Sequence, residues 1–155
     1  MQPQIINLTA RPQAIPQLAE WHQAEWGYLN PGSSLEQRIV KMDSFLSTAL
    51  LPSMFVSVIG EQVIGSAAIV SNDMDSHEEL TPWLASVYVD VPHRHQGVAS
   101  ALVQHVMQQA AAAAIPALYL FTPGQEKLYA KLGWEVLARE DYRGTAVTLM
   151  QVRLS

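Results

Sequence analysis

The feature that most constrains the fold is an apolar strand that passes through a short basic turn into a long helix. The strand is predicted over residues 83–91, where the sequence reads WLASVYVDV, and Pro92 ends it. The helix is predicted from about Val98, because Val98, Leu102 and Val106 fall on one apolar stripe. A strand and a helix joined in this way are typical of a domain in which helices cover a sheet.

The rest of the chain has strand and helix patterns on both sides of this unit. Further strands are predicted at residues 4–8, 54–59, 63–70, 117–122, 134–137 and 146–154, and helices at 11–26, 33–50 and 124–132. The order β-α-α-β-β-β-α-β-α-β-β predicts a mixed α+β fold with helices on both faces of a mixed, largely antiparallel sheet. With 155 residues, about half of them apolar, and no repeat or linker, we expect a single domain over residues 1–155.

The basic turn, residues 92–97, has the features of an anion-binding loop. Such a turn aims unpaired backbone N–H groups, and the positive end of the helix dipole, at one point in space. Gly97 lets the backbone approach an anion closely, and Arg94 adds a permanent positive charge to an otherwise acidic chain. The turn is therefore predicted to bind phosphate.

Two short motifs resemble those of the GNAT superfamily of acyltransferases. The phosphate-loop pattern of that family is Arg or Gln, any two residues, Gly, any residue, then Gly or Ala, and Arg94, Gly97 and Ala99 fit it. The segment 127–134, with Leu-Tyr, three residues, then Gly and an aromatic residue, resembles a later motif of the family. The resemblance extends from about residue 54 to residue 136 and, more loosely, over the whole chain.

The resemblance implies the GNAT fold, with a sheet of about seven strands, and acetyl-CoA as co-substrate. In the family, the strand before the loop separates from its neighbour and binds the pantetheine arm, while the loop amides bind the pyrophosphate. Carried over to this sequence, the cofactor-binding residues are Val87, Tyr88, Val89, Arg94, His95, Gln96, Gly97, Val98, Ala99, Ser100 and Thr122.

The resemblance also implies an N-acetyltransferase that works through a ternary complex with a primary amine. The deprotonated amine attacks the thioester, and CoA leaves as a thiolate. Tyr129 occupies the position of the family's frequent general acid, and phenol and thiol have pKa values close enough for proton transfer. Glu79 is the predicted general base, with Glu78 as an alternative and Asp75 as a weaker one, because these residues precede the cofactor strand.

Composition narrows the classes of function further. Fourteen Asp and Glu against nine Lys and Arg give a net charge of −5, which disfavours nucleic acid and anionic membranes as partners. The chain has no cysteine, which excludes a cysteine nucleophile, disulfides and thiolate metal sites. No metal site is predicted at His93 and His95, because the sequence offers no third ligand nearby. With no signal-peptide pattern and no apolar run of membrane-spanning length, a cytoplasmic location is expected.

The sequence leaves the acceptor and two other classes of function open. The acceptor is an amine of a small molecule or a peptide, and the sequence does not identify it. The aromatic residues Trp21, Trp26 and Tyr28, with His22, are candidates for a wall of the acceptor site or for core positions. The alternative functions are a non-catalytic acyl-CoA-binding or sensing domain and a phosphate-ligand module unrelated to acyl transfer. A homodimer is common among the proteins that the chain resembles.

Overall fold

The elements follow one another in the predicted order, in a computed structural model that describes residues 2–155. The helices are α1 (Ile15–Trp26), α2 (Leu35–Met42), α3 (Val98–Ala112) and α4 (Glu126–Lys131). The strands are β1 (Gln4–Asn7), β2 (Ser53–Ile59), β3 (Gln62–Val70), β4 (Trp83–Val89), β5 (Ala117–Thr122), β6 (Glu135–Tyr142) and β7 (Thr145–Arg153). The predicted α+β fold with seven strands is confirmed.

The strands form one sheet in the order β1-β2-β3-β4-β5-β7-β6. Every neighbouring pair is antiparallel except β4 and β5, which run parallel because the chain crosses from one to the other through α3. Hairpins connect β2 to β3 and β6 to β7. The only parallel pair of the described sheet therefore lies at its centre, between two antiparallel blocks.

Side chains along each strand point alternately to the two faces of the sheet, and each face carries its own hydrophobic core. On β2, Phe55 packs into the core that contains α3, whereas Met54 and Val56 pack into the core beneath α1 and α2. Leu102 of α3 and Leu18 of α1 are both fully buried, one in each core. Each such leucine contributes about 2 kcal/mol through burial. Helices thus cover both faces, as predicted.

Two elements end well away from the residues predicted for their ends. The second helix was expected to continue to about residue 50, but α2 ends at Met42 and a single 3₁₀ turn follows at residues 43–45. The Ser44 hydroxyl donates a hydrogen bond to the Lys41 carbonyl at 2.9 Å, and this side-chain bond competes with helix continuation. The strand predicted at 134–137 is longer than expected, because β6 continues to Tyr142 in its hairpin with β7.

Candidate active site

A cleft opens where β4 and β5 separate. Their only paired residues are Trp83 and Tyr119, near the beginning of both strands, and beyond this pair the strands diverge. Further along β4 lies a β-bulge, in which Ser86 and Val87 together stand opposite Ala67 of β3. Ser86 has φ 54°, a left-handed conformation that bends the strand. The resulting cleft has a volume of about 1400 Å³.

The end of β4 presents a backbone amide to this cleft. Asp90 donates its N–H to the Ile64 carbonyl of β3 at 2.8 Å, so the peptide groups of the preceding residue, Val89, point the other way, towards β5. The Val89 carbonyl accepts from the Arg94 side chain at 2.8 Å. The Val89 N–H is therefore directed into the gap, where a backbone donor can bind a carbonyl oxygen of a ligand.

The turn between β4 and α3 is shaped as an anion cradle. His95 has φ 63° and Gly97 has φ 82°, and Gly97 forms the N-cap of α3. The first helical bond runs from the Ala101 N–H to the Gly97 carbonyl, so the preceding amides at residues 98–100 lie at the free positive end of the helix. A Cβ atom built on Gly97 would meet no atom within 4 Å, which leaves room for a ligand in front of the backbone.

Arg94 connects the cradle to β4. Its Nε group donates to the Val89 carbonyl, and its guanidinium lies over the Tyr88 ring, 5.4 Å from the ring centroid. The side chain thus fixes the loop against the end of the strand. Its two terminal amino groups stay available to a phosphate, which a planar guanidinium binds well.

Gly65 is a structural requirement of the site that the sequence reasoning missed. A Cβ atom at Gly65 on β3 would lie 2.8 Å from the Tyr88 carbonyl and 3.1 Å from Leu102. The missing side chain therefore lets β4 and α3 approach β3 closely behind the cradle. A glycine in the middle of an apolar strand pattern is the signal that could have identified it, since such a glycine often marks a close backbone approach.

Tyr129 of α4 reaches the cleft from the side of β5. The residue is 7% exposed and packs edge-on against Trp134, with ring centroids 6.1 Å apart. Within residues 2–155 its hydroxyl makes no hydrogen bond, and the side chain lines the cleft. Burial raises the pKa of the phenol, which keeps its proton on the oxygen at neutral pH. Tyr129 can therefore donate a proton to a group in the cleft.

The structure brings together most of the predicted site residues. Those that line the cleft are Val87, Tyr88, Val89, Arg94, His95, Gly97, Val98, Ala99, Ser100, Thr122 and Tyr129. The Thr122 hydroxyl accepts hydrogen bonds from the N–H groups of Gly124 and Gln125, at 3.4 and 3.0 Å, and so shapes the opposite rim. The exposed side chain of Gln96 does not line the cleft, and its amide donates to the Pro92 carbonyl at 3.5 Å.

Glu79 is not brought to the cleft. Its carboxylate accepts from His77 Nδ1 at 3.0 Å and is 65% exposed, while His77 Nε2 contacts Glu140 of β6 at 2.6 Å. The two carboxylates raise the pKa of His77. A backbone hydrogen bond within Glu79, and after it the bond to His77, lower the pKa of Glu79. The structure places Glu78 outside the cleft as well. Asp75 does line it, but its carboxylate accepts from Arg143 at 2.7 Å.

The aromatic residues of α1 are arranged around Tyr88 of β4. Trp21 stacks on Tyr88 with ring centroids 5.4 Å apart, and Trp26 approaches the same ring edge-on at 6.2 Å. Trp26 and His22 line the cleft, whereas Trp21 and Tyr28 do not. The predicted aromatic wall is thus formed by Trp26 together with His22, and Trp21 supports it from behind.

His22 is buried and supports the bulge in β4. Its Nε2 atom lies 2.9 Å from the Ser66 hydroxyl, which itself donates to the Ser86 carbonyl at 2.8 Å. Because a hydroxyl has one proton to donate, Ser66 accepts from His22, and His22 is the neutral Nε2–H tautomer. Burial, assisted by the charge of Arg38, lowers the pKa of His22 to about 3.

This lowered pKa predicts an acid-sensitive contribution to stability. The contribution is complete above pH 6.5, the ordinary pKa, and is lost as the pH falls towards about 3. We expect the melting temperature of the wild type to fall more steeply over this range than that of His22→Gln, whose amide can still donate to Ser66. The difference in unfolding free energy is at most about 1.4 kcal/mol per pH unit. Thermal unfolding across the pH range measures it, and parallel curves for the two proteins would contradict the assignment.

Three loops meet and close the other side of the cleft: the β6–β7 turn, the segment between α1 and α2, and the β3–β4 segment. Arg143, in the β6–β7 turn, donates to the Leu29 carbonyl at 2.9 Å and to the Asn30 side chain at 2.8 Å, both in the segment between α1 and α2. The same guanidinium binds Asp75, in the β3–β4 segment. A ligand on this side of the cleft would therefore be surrounded by residues from distant parts of the sequence.

Two further findings concern the described residues, 2–155. They contain no group of three or more His, Asp or Glu side chains that is placed to hold a metal ion. Among them there is also no helix with the length and hydropathy needed to cross a membrane.

Comparisons with known proteins identify the family. The model of the acetyltransferase (GNAT) family matches residues 15–134. No curated protein matches the chain significantly. Among solved structures, the fold is similar to an N-acetyltransferase from Staphylococcus aureus Mu50, with 17% identity, complete coverage of both chains and a TM-score of 0.79.

Two other solved structures share the fold. An aminoglycoside 6′-N-acetyltransferase complexed with coenzyme A matches with 12% identity and a TM-score of 0.77, over 100% of this chain and 98% of that one. A ribosomal-protein-alanine N-acetyltransferase from Brucella melitensis matches with 17% identity and a TM-score of 0.73, over 97% and 99%. The structural matches show the fold, and the family match covers most of the chain, so the chain belongs to the GNAT family of acetyltransferases.

Proposed function

We propose that the protein transfers an acetyl group from acetyl-CoA to a primary amine, in a ternary complex of enzyme and both substrates. The observation that carries this proposal is the separation of β4 from β5 beyond Trp83 and Tyr119, with the cradle at Gly97 at one end of the gap and Tyr129 beside it. An anion cradle next to an apolar gap suits a ligand that combines a pyrophosphate with a long, thin arm.

The residues present fit coenzyme A. The amides of residues 98–100 and the terminal groups of Arg94 would hold the pyrophosphate, and the open space in front of Gly97 would accommodate it. Along the gap, the backbone of β4 at residues 87–89 would bind the pantetheine arm, and Thr122 would lie on the opposite side. The acetyl thioester supplies an activated acyl group whose carbonyl oxygen the Val89 N–H is directed to receive.

Tyr129 is proposed as the general acid for the departing sulfur. Its hydroxyl has no other partner among the described residues, so its proton is available to a ligand. Burial raises the pKa of the phenol, so the tyrosine carries its proton at neutral pH and can donate it to the departing sulfur. Glu79 stays a prediction for the general base, and its exposed bond to His77 does not support a direct role.

Binding and turnover test the proposed function separately. We expect saturable binding of acetyl-CoA and CoA by calorimetry, in the range of about 1 μM to 1 mM that is usual for substrates of enzymes. Release of free thiol with a panel of amines then measures transfer. Absence of both heat and thermal shift with CoA would exclude the proposal, whereas binding without transfer to any amine would favour the non-catalytic acyl-CoA-binding alternative.

A further inference from the structure

The acceptor side of the cleft carries both signs of charge. Asp75 and Arg143 neutralise each other through a 2.7 Å ion pair. The charged side chains that remain on this side are the carboxylates of Asp73 and Glu25 and the cations of Arg38 and Lys41, all of which line the cleft. Within residues 2–155 none of these four forms a salt bridge. A wall with two unpaired charges of each sign suits a ligand that carries both an ammonium and an anionic group.

Asp73 is the carboxylate best placed to receive an amine. It lies three residues beyond the end of β3 and is half-buried in the cleft, whereas Glu25 lies exposed on α1. Burial raises the pKa of Asp73 to about 7, although the charges of Lys41 and Arg143 act in the opposite direction. A carboxylate whose pKa lies near the working pH is effective as a general base.

Arg38 is the cation best placed to hold an anionic group. It is half-buried, and its Nε group donates to the Gln23 side chain at 2.9 Å, which fixes the guanidinium while leaving its terminal amino groups without a carboxylate partner. Lys41 is three residues further along α2, so both cations project from one face of the helix. The charge of Lys41 reaches Asp73, and Arg38 lines the same cleft.

We propose that the acceptor is an amine that also carries a carboxylate, such as a free amino acid, with its ammonium at Asp73 and its carboxylate at Arg38. This inference rests on the proposed acetyl transfer and names its substrate class. Asp73 is then a catalytic residue, and Arg38 determines specificity because a guanidinium pairs with a carboxylate through two parallel hydrogen bonds.

The proton transfers balance in this arrangement. The ammonium gives one proton to the Asp73 carboxylate, and the neutral nitrogen attacks the thioester carbon to form the N–C bond. The C–S bond breaks, and the sulfur takes the proton of the Tyr129 hydroxyl. The nitrogen loses its second proton as the amide forms, and this proton restores Tyr129. Asp73 releases the remaining proton to solvent, so the products are the N-acetyl compound, CoA and one proton.

Matched pairs of acceptors test the substrate class. The wild-type enzyme is assayed with acetyl-CoA and free L-amino acids, their carboxamides, a polyamine and an aminoglycoside. We expect kcat/KM for the preferred acid to exceed that for its carboxamide by roughly 10- to 100-fold, the usual effect of one hydrogen bond to a charged group. Arg38→Gln should reduce this ratio to about threefold or less, because only the acid loses an ionic partner. Arg139→Gln, on the exposed surface of β6, is the matched control.

The pH dependence of the rate tests Asp73. Asp73→Asn should lower kcat/KM at pH 7 by roughly 100-fold or more, as expected for loss of a positioned base, and the loss should shrink at high pH, where the amine is already deprotonated. Asp43→Asn, an exposed carboxylate at the end of α2, is the control. Glu79→Gln is measured in parallel, because a larger loss in that variant would place the base in the loop predicted from the sequence and overturn the assignment to Asp73.

A second readout on Asp73 needs no acceptor. A carboxyl whose pKa is raised in the folded state contributes stability that is complete below its ordinary pKa of 3.8 and is lost as the pH rises through about 7. Asp73→Asn should therefore gain in melting temperature relative to the wild type between pH 5 and pH 8. The same difference in melting temperature between the two proteins at pH 5 and at pH 8 would contradict the half-buried, unpaired carboxylate on which the inference depends.

Failure of this inference can be distinguished from failure of the proposed function. Protein that does not bind CoA refutes acetyl transfer itself. Protein that binds acetyl-CoA but prefers the polyamine, the aminoglycoside or the carboxamides, or that acetylates no free acid in the panel, refutes only the carboxylate-bearing acceptor. An equal loss with acid and carboxamide in Arg38→Gln also overturns the role of Arg38 in specificity.

Discussion

Replacing Gly97 with glutamate is expected to abolish binding of CoA. The substitution places a negative charge in the open space before the cradle, next to the free amides at the start of α3, where a phosphate would approach. It also requires a side chain at φ 82°, a conformation that costs a residue other than glycine about 1 kcal/mol. Calorimetry with CoA should detect no binding at concentrations that saturate the wild-type protein.

A second glycine in the chain provides the matched control. Gly60, in the β2–β3 turn, also has a positive φ, 61°, and open space around its Cβ position, but it does not line the cleft. Gly60→Glu therefore reproduces the backbone strain and the added charge and should bind CoA normally. If a folded Gly97→Glu protein binds CoA with unchanged affinity, the phosphate does not bind at this loop. Equal losses of CoA affinity in both variants would indicate a general effect of strain or charge.

The cofactor side of the cleft was predictable because it depends on residues that are close in the sequence. The strand from Trp83, the basic turn and the helix from Val98 are consecutive, and the geometry of a turn that leads into a helix follows from local backbone rules. The positive φ of Gly97 is a property that glycine readily supplies. The separation of β4 from β5 was predictable only from the family resemblance. The pairing of two strands that are distant in the sequence cannot be derived from the pattern of either strand.

The acceptor side was not predictable, because it is assembled from distant parts of the chain. The position of Glu79 before β4 predicts it as the base, but its bond to His77, which also contacts Glu140 of β6, holds the carboxylate outside the cleft. Arg38 lies on α2 and Asp73 in the β3–β4 segment, and the fold brings both to the lining of one cleft. Nothing in the local pattern around either residue indicates that placement.

Replacing Tyr129 with phenylalanine is expected to lower kcat by roughly 10- to 10⁴-fold, because the upper part of this range is usual for a positioned general acid. The phenylalanine keeps the ring packed against Trp134 and removes only the hydroxyl, which has no protein partner in the described chain. Since no internal hydrogen bond is lost, the melting temperature and the affinity for CoA should change little. Turnover, CoA binding and unfolding measured on one preparation therefore separate a chemical role from a structural one.

A tyrosine on the neighbouring strand provides the control for this prediction. Tyr119 of β5 packs against Trp83, with ring centroids 6.0 Å apart, and does not line the cleft, so Tyr119→Phe should retain full turnover. The pH profile adds a further constraint. Burial raises the pKa of Tyr129 above its ordinary value of 10.0. The wild-type rate should therefore not fall through deprotonation of Tyr129 at any pH below 10.0. Full turnover in Tyr129→Phe would leave the departing thiolate to be protonated by solvent, and the tyrosine would then serve only to pack α4 against Trp134 beside β5.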